Sequence, residues 1–191
     1  MKIEYEVRIL NIDTDEWIKK VEEMGAIKKG VFHQKRYVYD FQPAQKGRWI
    51  RLRSNGKEST LTIKEIKSLR VDGTKELEIV VSNFDDTNEI LQKLGYKPRT
   101  YQENFRIEYT LNGVNFDFDK WPRIPEYLEI ECTSEQSVTE MIDKMGVNNL
   151  EVTTLDVDQV YQKKYGIILD EIAELRFSCS EKERIKELAN R

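Results

Sequence analysis

Apolar and polar residues alternate along several short stretches of the chain, the period-two pattern of strands whose two faces differ chemically. In Ile3-Glu4-Tyr5-Glu6-Val7-Arg8-Ile9 every second position is apolar, and the interleaved ones are two acids and an arginine. The run from Trp49 puts Arg51 and Arg53 on one face and Ile50 and Leu52 on the other. Thr60, Thr62 and Lys64 then oppose Leu61 and Ile63, and Glu76 and Glu78 alternate with Leu77, Ile79 and Val81. Arg106 and Glu108 share a later stretch, Asp117 and Asp119 alternate with Phe116 and Phe118, and Glu129 and Glu131 with Leu128 and Ile130. Asn55-Gly56 and Asn112-Gly113 lie between such runs and predict hairpin turns, so the pairing is expected to be antiparallel.

Helical spacing interrupts this pattern. Trp17, Ile18, Val21 and Met24 form one stripe after Asp13 and stop at Gly25. Ile90, Leu91 and Leu94 precede Gly95 in the same way, and Val138, Met141, Ile142 and Met145 precede Gly146. A fourth helix is predicted over Asp156 to Tyr165, and a charged one from Ser180 to the end of the sequence. The spacing between these elements is too long and uneven for a solenoid.

Length allows one domain spanning residues 1–191, able to bury a core without disulfides or a structural metal. Charged residues make up 35% of the chain, yet the net charge is only −4, which argues against a general nucleic-acid binder. Cys132 and Cys179 are isolated, a usage that suits a reduced cytoplasmic protein. No apolar run approaches the roughly 20 residues of a membrane span, and the N-terminus carries acids where a signal peptide would be apolar.

The ionic faces carry the functional information. A wet strand face ordinarily mixes Ser, Thr, Gln and Lys, whereas here acids come as i, i+2 pairs and arginines as another pair. Such pairs repel along a strand unless they bind something. Neighbouring carboxylates suit a hard divalent cation, and converging Arg and Lys side chains suit phosphate oxygens. If the strands close into a barrel, the ionic faces line a wet lumen and the apolar faces turn outward, where the amphipathic helices cover them. A polyphosphate with its metal neutralises both sets.

Glu4-Tyr5-Glu6-Val7-Arg8 resembles the ExExK signature of CYTH proteins, the triphosphate tunnel family that includes class IV adenylate cyclases and thiamine triphosphatase-like proteins. Arg51-Leu52-Arg53, Thr62-Ile63-Lys64, Glu76-Leu77-Glu78, Arg106, Asp117-Phe118-Asp119 and Glu129-Ile130-Glu131 follow in the family's order. The segment from Trp121 to Glu131 is similar to the WPxIPxYLEIE stretch of bacterial members assigned as class IV cyclases. The resemblance runs to about Tyr165 and leaves the final helix, about residues 180–191, unmatched. It implies an α+β fold, an eight-stranded antiparallel β-barrel with helices packed outside. It also implies that Arg8, Arg51, Arg53, Lys64 and Arg106 hold phosphates, and that Glu4, Glu6, Asp117, Asp119, Glu129 and Glu131 hold Mg2+ or Mn2+. Glu76 and Glu78 would support them, and Glu4, Glu6, Arg8 and Lys64 would be catalytic. Two positions depart from the pattern. Arg8 stands for the first-motif lysine, and Asn104 for a lysine that precedes the arginine in some cyclases.

The lone His33 lacks an orienting acid nearby in sequence, and Tyr37 and Tyr39 read as packing residues. No GxxxxGK[ST], HExxH or GxSxG motif occurs. Three functions therefore compete: hydrolysis of a nucleoside triphosphate, thiamine triphosphate or tripolyphosphate; cyclisation of ATP to cyclic AMP and pyrophosphate; and triphosphate binding without chemistry. Hydrolysis is slightly favoured because Asn104 removes a cation. The expected partner is a small triphosphate-bearing molecule rather than nucleic acid or a membrane, with a homodimer left open.

Overall fold

The computed structural model describes residues 1–147 and 150–182. Eight strands close on one another: β1 (Lys2–Leu10), β2 (Ile27–Asp40), β3 (Arg48–Ser54), β4 (Ser59–Ile66), β5 (Thr74–Val81), β6 (Pro98–Leu111), β7 (Val114–Lys120) and β8 (Tyr127–Cys132). Around the barrel the order is β1, β5, β4, β3, β2, β6, β7, β8 and back to β1, with every neighbouring pair antiparallel. The fold is thus the expected α+β barrel. Asn112-Gly113 forms the two-residue turn from β6 to β7, with φ of 49° and 83°, the doubly left-handed geometry that asparagine and glycine tolerate. At the β3–β4 turn the Asn55 side chain accepts from the Lys57 and Glu58 amides at 2.9 and 2.8 Å.

Helices α1 (Thr14–Glu23), α2 (Phe84–Lys93), α3 (Glu135–Met145) and α4 (Val157–Tyr165) pack outside, with a 3-10 turn at Leu169–Glu171. Each α-helix is capped from its own sequence: Asp13, Asn83, Ser134 and Asp156 accept first-turn amides. The predicted C-terminal helix begins at residues 179–182, and the rest of it lies outside the described residues. No described helix is long and apolar enough to cross a membrane.

Two short strands complete the sheet. β9 (Glu151–Thr153) pairs with Arg8–Leu10 of β1, and β10 (Glu174–Leu175) runs parallel to Tyr101 and Gln102 of β6. One edge of β1 is consequently shared: β5 holds Lys2, Ile3 and Glu4, then β9 takes over at Arg8. The apolar core lies around the lumen rather than in it. Trp17 and Val21 of α1 and Val138 and Met145 of α3 cover Val7, Ile9, Phe116, Leu128 and Ile130, the outward residues of β1, β7 and β8. Phe84 and Leu91 of α2 cover Tyr39, Ile50 and Leu52. Each of these side chains, when fully buried, contributes about 1.5–3 kcal/mol, so stability resides in the coat and leaves the lumen free to be polar. The inward rows end in Leu10, Trp121 and Tyr127, where Val160 and Tyr161 of α4 and Leu175 of β10 close over them. Val80, next inward after Glu78, is 64% exposed, so the lumen opens there.

Candidate functional site

The alternation that defines the strands directs one residue in two to the interior, and the lumen holds a cavity of about 400 Å³. It is lined by Glu4, Glu6, Arg8, Arg51, Arg53, Lys64, Glu76, Glu78, Arg106, Glu129 and Glu131, gathering residues from six strands. Asp117 and Asp119 do not line it. They sit behind Arg106, whose guanidinium lies 2.5 Å from Asp117 and 2.6 Å from Asp119.

Strand register joins the charges across neighbouring strands. Arg8 stands opposite Glu129, and Lys64 opposite Glu76. These cross-strand cations offset part of the repulsion within the acid pairs. Arg8 donates to Glu6 at 3.1 Å and to the Leu155 carbonyl at 2.8 Å, and lies 2.6 Å from Glu129. Lys64 bridges Glu4 and Glu76 at 3.1 and 2.6 Å. Arg51 reaches Glu76 and Glu78 at 3.1 and 3.4 Å. Glu131 pairs with the exposed Lys2 at 3.1 Å.

The charges are sorted into two regions. Around β1, β6, β7 and β8, Arg8 and Arg106 face Glu6, Glu129, Asp117 and Asp119, four carboxylates against two guanidiniums. Glu129 lies between both cations. Burial opposes its ionisation, but Arg8 and Arg106 outweigh burial and hold its pKa at about 2. The excess acidity falls elsewhere. Burial raises Glu6 despite Arg8, and burial with Glu129 and Asp119 pushes Asp117 up to about 8 despite Arg106. Among the described residues no three His, Cys, Asp or Glu side chains are grouped to hold a metal ion directly. The lumenal carboxylates Glu4, Glu6, Glu129 and Glu131 are hard oxygen donors that would suit a divalent cation, provided acids such as Glu6 and Glu131 exchanged their Arg and Lys partners for it.

The opposite region, on β2, β3 and β4, is basic. Arg53 finds a carboxylate only at 3.6 Å, in Glu78, and burial together with Arg51 and Arg106 lowers its pKa to about 10. Arg36 of β2 also lines the cavity and was missed by sequence reasoning, as were Gln102, Asp156 and Asp158. It is 7% exposed, and burial with Arg51, Arg53 and Arg106 lowers its pKa well below the ordinary value. Its signal was weak because Gln34-Lys35-Arg36-Tyr37-Val38-Tyr39 mixes polar and apolar residues on both faces. Lys64 is lowered by burial and by Arg51, against Glu4.

His33 lies mid-strand in β2, on the outer face, and does have an acid partner: Glu103, distant in sequence, at 2.8 Å. Its ring stacks on Phe105 at 4.3 Å, away from the cavity lining. Tyr37 and Tyr39 pack outside with Phe84. Cys132 is buried beneath α3 and Cys179 is exposed, both as free thiols.

A model of the CYTH domain matches residues 2–158. Among solved structures, a Pyrococcus horikoshii OT3 protein superposes with a TM-score of 0.67 at 23% identity, over 78% of this chain and 94% of that one. A Vibrio parahaemolyticus protein proposed to be an adenylate cyclase gives 0.62 at 13% identity, over 75% and 84%. A Hippeastrum protein, proposed to be an adenylyl cyclase and described as revealing a dominant triphosphatase activity, gives 0.58 at 13% identity, over 90% and 100%. At such identities these likenesses concern the fold. No curated protein matches the chain.

Proposed function

The chain belongs to the CYTH domain family, and from that premise we propose that it is a divalent-metal-dependent enzyme that takes a triphosphate into its lumen and hydrolyses it. One observation carries this reading. The half-buried guanidiniums of Arg51, Arg53 and Arg106 converge on one cavity, where burial together with Arg51 and Arg106 outweighs Glu78 and lowers the Arg53 pKa to about 10. A convergent cluster of that kind is stabilised by an anion of high charge, and bidentate forks suit phosphate oxygens.

Arg51, Arg53, Lys64 and Arg106 would hold the phosphates and offset the charge that develops as the bond breaks. Glu4, Glu6, Glu129 and Glu131 would hold Mg2+ or Mn2+, which would offset phosphate charge and polarise the phosphoryl group. Arg8 stays protonated. Its pKa is raised because Glu129 and Glu6 outweigh burial, so its part is to orient those acids and bear charge. Burial and Arg51 move Lys64 down from its ordinary value, which makes it a lumenal group suited to give or accept a proton, Glu6 being taken by the metal.

Cyclisation of ATP is the second reading, and one contact favours it. Arg36 donates to the Asn104 side chain, so a cation still stands where some cyclases carry lysine. The deciding experiment is incubation with ATP, tripolyphosphate and thiamine triphosphate, each with Mg2+ or Mn2+, followed by product chromatography. Hydrolysis yields ADP and phosphate from ATP. Cyclic AMP with pyrophosphate as the main products would establish cyclisation instead, and absence of turnover and of binding would overturn both.

A further inference from the structure

Arg36 differs from the other guanidiniums of the lumen. Arg8, Arg51, Arg53 and Arg106 each have a carboxylate within 4 Å, whereas Arg36 has none among the described residues. Its Nη2 donates to Gln34 at 3.0 Å and to Asn104, both neutral amides, and its guanidinium lies over the Trp121 ring at 4.5 Å. Its Nε is buried without a partner, as are those of Arg8 and Arg51, so the missing carboxylate is what sets Arg36 apart. Across the sheet its register neighbours are Arg53 on one side and Gln102 on the other, and both line the cavity. Packing on Trp121 and two amides could serve a purely structural arginine. Such an arginine would not be expected to stand without any carboxylate beside another under-compensated cation.

Asn104 explains why Arg36 lacks a counter-charge. Its Oδ1 accepts from Arg36, and its Nδ2 donates to Asp119 at 3.0 Å. Asp119 in turn accepts from Arg106 Nε and Nη2 at 2.8 and 2.6 Å. The amide therefore has one workable orientation, oxygen to the cation and nitrogen to the acid. It links Arg36 to Arg106 while keeping Asp119 from neutralising Arg36. An aspartate at this position would pair with Arg36 outright, and a lysine would repel it.

We infer that Arg36 is an additional contact for a phosphate group of the bound polyphosphate, and that Asn104 is the positioning residue that keeps its charge available and ties it to Arg106. This rests on the lumen being a polyphosphate site, and the test separates the two. Binding of inorganic tripolyphosphate is measured by titration calorimetry for the unmodified protein, Arg36→Gln and Asn104→Asp, with thermal unfolding of each. Arg36→Gln should weaken binding roughly 10- to 100-fold, the range for losing a hydrogen bond to a charged group. Asn104→Asp should weaken binding comparably because it supplies the missing counter-charge, and the ion pair gained with Arg36 should offset the Nδ2 bond lost to Asp119 and keep the unfolding temperature level. A structural role alone would instead lower the unfolding temperature together with affinity. That result, or unchanged affinity in Asn104→Asp, would overturn the positioning role. If the unmodified protein binds and Arg36→Gln binds within about twofold of it, Arg36 is not a ligand contact and the tunnel reading stands. If the unmodified protein does not bind, both fall. Should Arg36→Gln fail to fold, Asn104→Asp still decides, because retained affinity with a neutralised Arg36 excludes the contact.

Discussion

Glu129 and Glu6 are neighbours in one ionic network and are predicted to respond oppositely to the same substitution. Glu129 stabilises the fold through Arg8 and Arg106, and its pKa of about 2 lies below the ordinary 4.5. The unfolded chain binds the proton more readily, so this stabilisation is complete above the ordinary value and is lost as pH falls towards 2. Glu129→Gln should cost about 1.5–3 kcal/mol at neutral pH, the scale of a hydrogen bond to a charged group, because Arg8 and Arg106 keep other acids, and should flatten the acid limb of stability against pH. Glu6 is raised, mainly by burial. Its ionisation therefore works against the fold, and Glu6→Gln should unfold at the same or a higher temperature without metal. Added Mg2+ should raise the unfolding temperature of the unmodified protein and not that of Glu6→Gln; an equal rise in both would remove Glu6 from the metal site. The acid and base rows were legible in the sequence because each sits at i and i+2 on a clean alternation. Their partners were not, since Arg8–Glu129 and Lys64–Glu4 are set by strand neighbourhood, which periodicity does not encode.

At the level of elements, the stretch from α4 to Lys182 crosses the outside of β6, where β10 pairing and apolar packing are joined by one buried acid. Glu103 accepts from the Phe177 amide at 2.7 Å, and Lys182 and His33 lie at 3.0 and 2.8 Å. Burial opposes its charge, but Lys182, the Phe177 amide and His33 prevail and lower its pKa. The hold is therefore full above the ordinary glutamate range and weakens as pH drops below it. Glu103→Ala should destabilise the protein by about 2–3 kcal/mol, since charge-assisted bonds are lost together. Limited proteolysis should then cut between residues 166 and 178; resistance equal to the unmodified protein would show that apolar packing alone holds the segment. The first three helices could be read from apolar stripes ending in glycine, and α4 from its span. β9 and β10 could not, because three and two residues show no period. β2 was obscured by register shifts between Lys28 and Gly30 and between Val38 and Tyr39.

For the molecule as a whole, closure depends on a short seam. β1 meets β5 only through Lys2, Ile3 and Glu4, while β2 and β6 pair from Ile27 to Tyr39. Amide exchange should be fastest, among the barrel strands, on the β1 and β5 sides of that seam, and slowest between β2 and β6. Uniform protection around the ring would contradict this. Closure itself came from family resemblance, because alternation shows that a strand has two faces and not which strand lies beside it. The shared edge of β1 has one more consequence. Removing residues 1–10 would leave seven strands in an open sheet whose free borders, on β5 and β8, both lack the same neighbour. A synthetic peptide spanning Lys2–Leu10 carries that neighbour and also Glu4, Glu6 and Arg8. The protein should thus divide into a scaffold and a nine-residue key, and tripolyphosphate binding by the truncated chain should appear only when the peptide is added.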